Sequence, residues 1–237
     1  VALMEEFVPQ IQDALRKEGF VWFDEEQMQE IVLGPKASFK GGKRWLFTTR
    51  ERDEAVVLTD RFLVYETVRY DVFETFVEKL KTALRIVREV ADIALSEQLG
   101  LRYVDLIEKV EGKSPRELLQ KSVQGLTDEQ LGTTGCRHQS LAMASTPHGK
   151  IHVRTIENSG SNVLPPDLGD TRLDMPTRRM EEEPFRILDI DHISALTRDF
   201  DPDLLIKAMW DLHEYTKQAF RATVTKEAID IWKKGEN

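Results

Sequence analysis

The stretch from Asp71 to Gly100, "DVFETFVEKLKTALRIVREVADIALSEQLG", decides the fold. Phe73, Phe76, Val77, Leu80, Leu84, Val87, Val90 and Ala94 recur three or four residues apart, the repeat of one apolar helix face. Asp71 followed by Glu74 has the form of a capping box, and Gly100 stands past the end as a stop signal. The spacing predicts one helix over about residues 71–98, which at about 1.5 Å per residue would be roughly 40 Å long. Such a helix can lie across a whole sheet.

The flanking segments supply that sheet. Upstream, "MQEIVLG", "RWLFTT" and "AVVLTDRFLVYETV" are short β-type runs separated by Gly41, Gly42 and the charged turn "RERDE", which predicts antiparallel strands. Leu3, Phe7, Ile11 and Leu15 before them mark an amphipathic helix stopped by Gly19, with Pro9 placing its regular part from about Val8. Downstream, "LRYVDLI" reads as a strand with apolar residues on both faces.

The second half begins with a short helical piece at "PRELLQKSV". The hairpin "CRHQSLAMASTPHGKIHVRTIE" follows, with its turn expected at His148 and Gly149. A stretch without periodicity, about residues 158–184, leads into the strand "FRILDIDHIS". Asp201 with Pro202 then opens a helix carrying Leu205, Met209, Leu212 and Phe220, and Thr225 caps a last helix holding Ile229 and Trp232.

The expected class is therefore α+β: antiparallel sheets packed with one long helix and C-terminal helices, in an N-terminal half (residues 1–110) and a C-terminal half (111–237). A single α+β domain and a pair of pseudo-duplicated, ferredoxin-like halves both fit this order. The chain starts at Val1 without a methionine, and a further strand ahead of it would complete the first such half.

Composition narrows the function. The 237 residues are 41% hydrophobic, enough for a substantial core, and no apolar run approaches the roughly 20 residues that span a bilayer. The formal net charge of -9 repels phosphate, which argues against a nucleic-acid partner. The one cysteine, Cys136, excludes an intrachain disulfide framework, so the expected location is cytoplasmic.

Five residues are candidates for binding. In "ILDIDHI", Asp189 and Asp191 point to one face of a strand, about 7 Å apart, and His192 to the other, so the three do not converge on one metal. In "RYVDLI", Arg102 has the donors to clamp an anion and Asp105 can pair with a cation from another strand. Cys136, His138, His148 and His152 have ligand atoms for zinc, but the hairpin register spreads them along the ladder. The aromatics Trp22, Phe23, Trp45, Phe47 and Phe62 lack the interleaved basic residues that follow a phosphate backbone and read as core. "TRRMEEEP" reads as a solvated loop. Nothing in the sequence has the form of a catalytic or cofactor motif, so no catalytic residue, metal or cofactor is assigned.

The combination of "VVLTDRFLVYETVRYDVFETF", "GLRYVDLIE", "LDIDH" and "WDLHEYTKQAFRATVTKEAIDIW" resembles a sporadically distributed family of prokaryotic proteins without an assigned activity. The resemblance spans most of the chain. It implies an extended segment before the first helix and, from the patchy distribution, a setting in mobile-element, toxin-antitoxin or defence loci. Together these readings predict a non-catalytic interaction or accessory protein with a protein partner or self-association. The alternatives are a metal-dependent nuclease using Asp105, Asp189 and Asp191, and a small-ligand sensor whose loop closes over a sheet face.

Overall fold

The computed structural model describes residues 4–32, 38–168, 171–175, 178 and 183–235. In chain order the elements are α1 (Met4–Lys17), β1 (Trp22–Val32), β2 (Ser38–Thr48), β3 (Glu54–Leu58), β4 (Leu63–Thr67), α2 (Phe73–Ala91), β5 (Leu95–Ser96) and β6 (Leu99–Ile107). They continue with α3 (Lys121–Gln124), α4 (Asp128–Leu131), β7 (Gln139–Thr146), β8 (Gly149–Asn158), β9 (Phe185–Ser194), β10 (Arg198–Asp199), α5 (Pro202–Thr223) and α6 (Lys226–Gly235). The class is α+β: among the described residues there are two four-stranded antiparallel sheets and a two-stranded pairing of β5 with β10, with helices at the C-terminal end. The chain forms two compact units, one holding the described residues up to 95 with 171–175 and 198–206, the other the remainder.

In the first unit β1-β2-β3-β4 is a simple meander. The β2–β3 turn is organised by Thr49, whose hydroxyl donates to the Asp53 carboxylate at 2.6 Å and accepts from the amides of Asp53 and Glu54. The strands on either side are buried on both faces, from Trp45 to Thr48 and from Ala55 to Leu58, as a central layer requires. Trp45 and Phe47 belong to this core, whereas Trp22 and Phe62 are about half exposed. α1 buries Met4, Val8, Ile11 and Leu15. The described residues are already helical from Met4, ahead of the expected regular start near Val8, so Pro9 lies inside the helix, on its exposed side.

α2 packs on α1 and β4 through Phe73, Val77, Leu80, Ala83, Leu84, Val87 and Ala91. The helix expected over residues 71–98 is shorter at both ends. Val72, not Asp71, is its N-cap, with extended backbone and no side-chain cap, so the Asp71–Glu74 box does not form. At the other end Asp92 turns left-handed (φ 48°) and donates to the Arg88 carbonyl, and the next residues form β5 against β10. Its 19 residues span about 29 Å.

In the second unit the sheet order is β6-β9-β8-β7. β6, which the sequence reading places at the end of the N-terminal half, pairs with β9 from Leu99↔Ser194 to Ile107↔Arg186 and so belongs to the second unit. Ile107, Ile151, Leu188 and Ile190 of the sheet pack with Leu118, Leu119, Val224, Ala228 and Ile231. Thr225 caps α6 as expected, its hydroxyl accepting from the Ala228 amide. The parallel crossover that defines a ferredoxin-like half does not occur in either sheet among the described residues.

The hairpin register differs from the expected one. Thr146 pairs with Gly149, so the turn residues are Pro147 and His148, and His152 stands opposite Met143. Gly149 is a ladder residue because of close packing on β9: a Cβ there would lie 2.1 Å from the Ile193 carbonyl oxygen.

Candidate functional site

Alternation along the strands sorts the second sheet's side chains onto two faces, and directly paired residues share one. Leu101, Tyr103, Asp105 and Ile107 of β6 lie with Arg186, Leu188, Ile190 and His192 of β9 on the face covered by α6 and the C-terminal part of α5. Arg102 of β6, Asp189 and Asp191 of β9, and His152 and Arg154 of β8 lie on the other.

Asp189 is the centre of that second face. Its side chain is only 3% exposed. Arg102 donates from Nε to Oδ1 at 2.8 Å and from Nη2 to Oδ2 at 2.9 Å, a two-pronged pair. Arg154 donates to Oδ2 from Nε at 2.9 Å and from Nη2 at 2.5 Å. A carboxylate buried this deeply is tolerated because ionised donors satisfy both oxygens.

Asp167, in the segment between β8 and β9, closes the other side of the same two guanidiniums. Its Oδ1 accepts from Arg154 Nη2 at 2.5 Å and its Oδ2 lies 3.0 Å from Arg102 Nη2. Burial opposes its charge, but the hydrogen bonds from Arg154 and Arg102 hold the Asp167 carboxyl below the usual range. Unlike Asp189, Asp167 is half open to solvent, with 52% of its side chain exposed. The arrangement is two fixed cations between an inner, buried carboxylate and an outer, accessible one.

The segment carrying Asp167 is also held by a buried arginine of its own. Arg178, expected in a solvated loop, is buried: it donates to the carbonyls of Gly160 and Glu183, lies 4.1 Å over the Phe185 ring and sits 3.3 Å from Glu108. Its apolar stacking partner and backbone acceptors explain why a charged residue leaves solvent here. The neighbouring residues 177 and 179–182 of that stretch lie outside the described residues.

The structure thus brings together two of the five sequence candidates, Arg102 and Asp189. Asp191 shares their face, between Arg102 and His152 across the strands; burial pushes its carboxyl up, with Arg102 opposing and Asp189 adding to the rise. His192 points the other way and is fully buried. Its Nδ1 lies 3.1 Å from the Leu212 carbonyl, which can only accept, so Nδ1 carries the proton and Nε2 faces the Thr146 hydroxyl at 2.8 Å. Burial lowers its basicity, and this neutral imidazole ties the hairpin to α5.

Asp105 is separated from Asp189 by the sheet itself and lies on the helix-covered face. Burial pushes its carboxyl up from 3.8 to about 6. Stability linked to this group is fully present below pH 3.8, where both folded and unfolded chains are protonated, and is lost as pH rises through about 6. Asp105→Asn should therefore stabilise the protein at pH 7 by up to about 3 kcal/mol. The gain should fall steadily as pH is lowered from about 6 and vanish below pH 3.8. Urea titrations of the two proteins at both pH values measure it, and a destabilised variant at pH 7 would contradict the assignment.

Arg154 and Asp167 were missed in the sequence. Arg154 had a usable signal, since period-two alternation in "KIHVRTI" puts it on the face of His152, but only the β8–β9 pairing places it opposite Asp189. Asp167 had none, because its segment has no periodicity. Among the described residues the zinc candidates do not gather into a set of three or more ligands: His138 packs on Gly125, His148 lies near Asp211 and Tyr215, and the Cys136 amide donates to Asp128.

Fold and site together define an antiparallel α+β protein with a carboxylate-anchored arginine pair on one sheet face. Comparison of the chain with protein-family models, with curated proteins and with solved structures finds no match.

Proposed function

We propose that this chain acts by binding rather than by catalysis, and that the group it binds is anionic, taken by Arg102 and Arg154 when Asp167 withdraws. One observation carries the reading: the buried Asp189 fixes two guanidiniums side by side, while their outer partner is a half-exposed carboxylate on a segment without helix or strand among its described residues. In this view Asp167 is a built-in stand-in for the ligand, and the ligand is a carboxylate or a phosphate, the two groups that fit a paired arginine fork. This is the sensor reading of the sequence made specific.

The nuclease reading is less well supported. Asp105 faces the helices, away from Asp189 and Asp191, and Asp189 is already neutralised by two guanidiniums. The resemblance to the sporadically distributed prokaryotic family, the cytoplasmic setting and an accessory role in a mobile or defence locus are part of the same proposal and rest on the sequence segments quoted above. Among the described residues no helix is long and apolar enough to cross a membrane.

Asp167→Asn frees the arginine pair without removing bulk and should create measurable affinity for simple anions. Thermal melts of this variant with increasing inorganic phosphate, and separately with succinate, should show a saturable rise for one of them. A ligand at about a hundredfold over its Kd adds about 2.7 kcal/mol of stability. The rise should be smaller in the parent and disappear when Arg154→Lys is added. A folded Asp167→Asn protein indifferent to both anions would refute the proposal.

A further inference from the structure

β7 forms one edge of the second sheet, and among the described residues no strand pairs with its outer side. Its sequence, "QSLAMAST", contains no charge, proline or glycine over eight residues. Natural edge strands are ordinarily protected by such residues, by bulges or by a covering element. Here the ladder to β8 runs without a bulge from Gln139↔Ile156 to Thr146↔Gly149, and Leu141 and Met143 are 56% and 70% exposed. For a chain of net charge -9, an uncharged edge is the surface on which two copies meet without like-charge repulsion.

The backbone is directional as well. The Glu157 amide donates to the His138 carbonyl, and 138 and 157 continue the β7–β8 register. Hydrogen-bonded pairs alternate along an antiparallel ladder, so the even-numbered residues of β7 bond to β8. Gln139, Leu141, Met143 and Ser145 direct their N–H and C=O groups outward.

We propose that β7 pairs antiparallel with β7 of a second copy, with Ala142 on the twofold axis, so that the two four-stranded sheets become one continuous sheet. A twofold axis normal to the sheet keeps each face on its own side and requires residues of equal parity to be paired. The Ala142 register is the one that uses every outward group: Leu141 exchanges both hydrogen bonds with the other copy's Met143, and Gln139 with its Ser145. It also sets each exposed Leu141 against an exposed Met143, while centring on Met143 would leave Gln139 unmatched and set Leu141 against serine. The occupant is thus a second copy of this chain, chosen by self-complementarity in backbone, side chain and charge.

Two measurements test it with the full chain. Sedimentation equilibrium should show a concentration-dependent monomer–dimer equilibrium that Met143→Lys shifts at least tenfold toward monomer. Met143→Pro should do the same, because it removes a donor directed away from β8 and leaves the hairpin's own bonds in place. In a Cys136→Ser background, Ala142→Cys should form an intermolecular disulfide on mild oxidation far faster than Ala144→Cys, since only residue 142 meets its own copy. A parent that stays monomeric throughout, a dimer unaffected by both Met143 substitutions, or equal crosslinking of the two cysteine variants would each overturn the proposal.

Discussion

Asp189→Ala is expected to destabilise the protein by about 3–5 kcal/mol, the cost of leaving buried charges without their partner. The substitution removes little volume, and a surface aspartate replaced in this way would matter hardly at all. Here it leaves Arg102 and Arg154, whose side chains are 22% and 20% exposed, facing each other with the outer Asp167 as the ion-pair partner they still share. The loss should depend weakly on salt, because ions do not readily screen a partly buried pair. The second-site change Arg154→Leu, made in the Asp189→Ala protein, should recover part of the stability by removing one of the stranded cations. Urea denaturation of the parent, the single variant and the double variant measures both effects. A single variant within about 0.5 kcal/mol of the parent would show that the cluster is not holding the sheet face together.

Leu84→Ala is the other large effect, expected to cost about 2–5 kcal/mol. Leu84 is 5% exposed and lies mid-helix on the buried stripe of α2, between Leu80 and Val87. Truncation removes buried methyl groups and leaves a cavity that helix and sheet fill only in part. Leu80→Ala should behave alike, whereas Leu204→Ala, at a position 55% exposed, should change stability by no more than about 0.5 kcal/mol. Thermal melts separate these outcomes. Leu80 and Leu84 variants that melt like the parent would turn α2 from a core element into an exposed ridge awaiting a partner.

Much of the secondary structure was legible because it follows from local chemistry. The stripe on α2, the glycine stop after α1 and the Thr225 cap each depend on residues only a few positions apart, whereas β1, expected from Met28, starts six residues earlier at Trp22. The ends of α2 were not legible. Asp71 and Glu74 have the residue types of a capping box, but the chain enters the helix extended at Val72, and at Asp92 a left-handed residue ends it although the apolar spacing continues to Ala94. A short β pairing of Leu95–Ser96 with Arg198–Asp199, more than a hundred residues away, competes with helix for those positions and wins.

The site divides in the same way. Alternation along a single strand put Asp189 and Asp191 on one face and His192 on the other, and that much is a property of the pleated backbone, independent of what lies beside it. Which strands lie beside β9 is not. β9 enters the sheet between β6 and β8, so Arg102, 87 residues before Asp189, and Arg154, 35 residues before it, reach the same carboxylate from opposite sides. The same insertion sets Asp105 across the sheet from Asp189, and the packing of Gly149 against the Ile193 carbonyl fixes the hairpin register that local turn preferences misplace. The sequence by itself determined the faces, through the period of the backbone. Only the tertiary structure decided the neighbours, because strand order is chosen by how the whole unit buries its apolar surface, and no short stretch of residues carries that information.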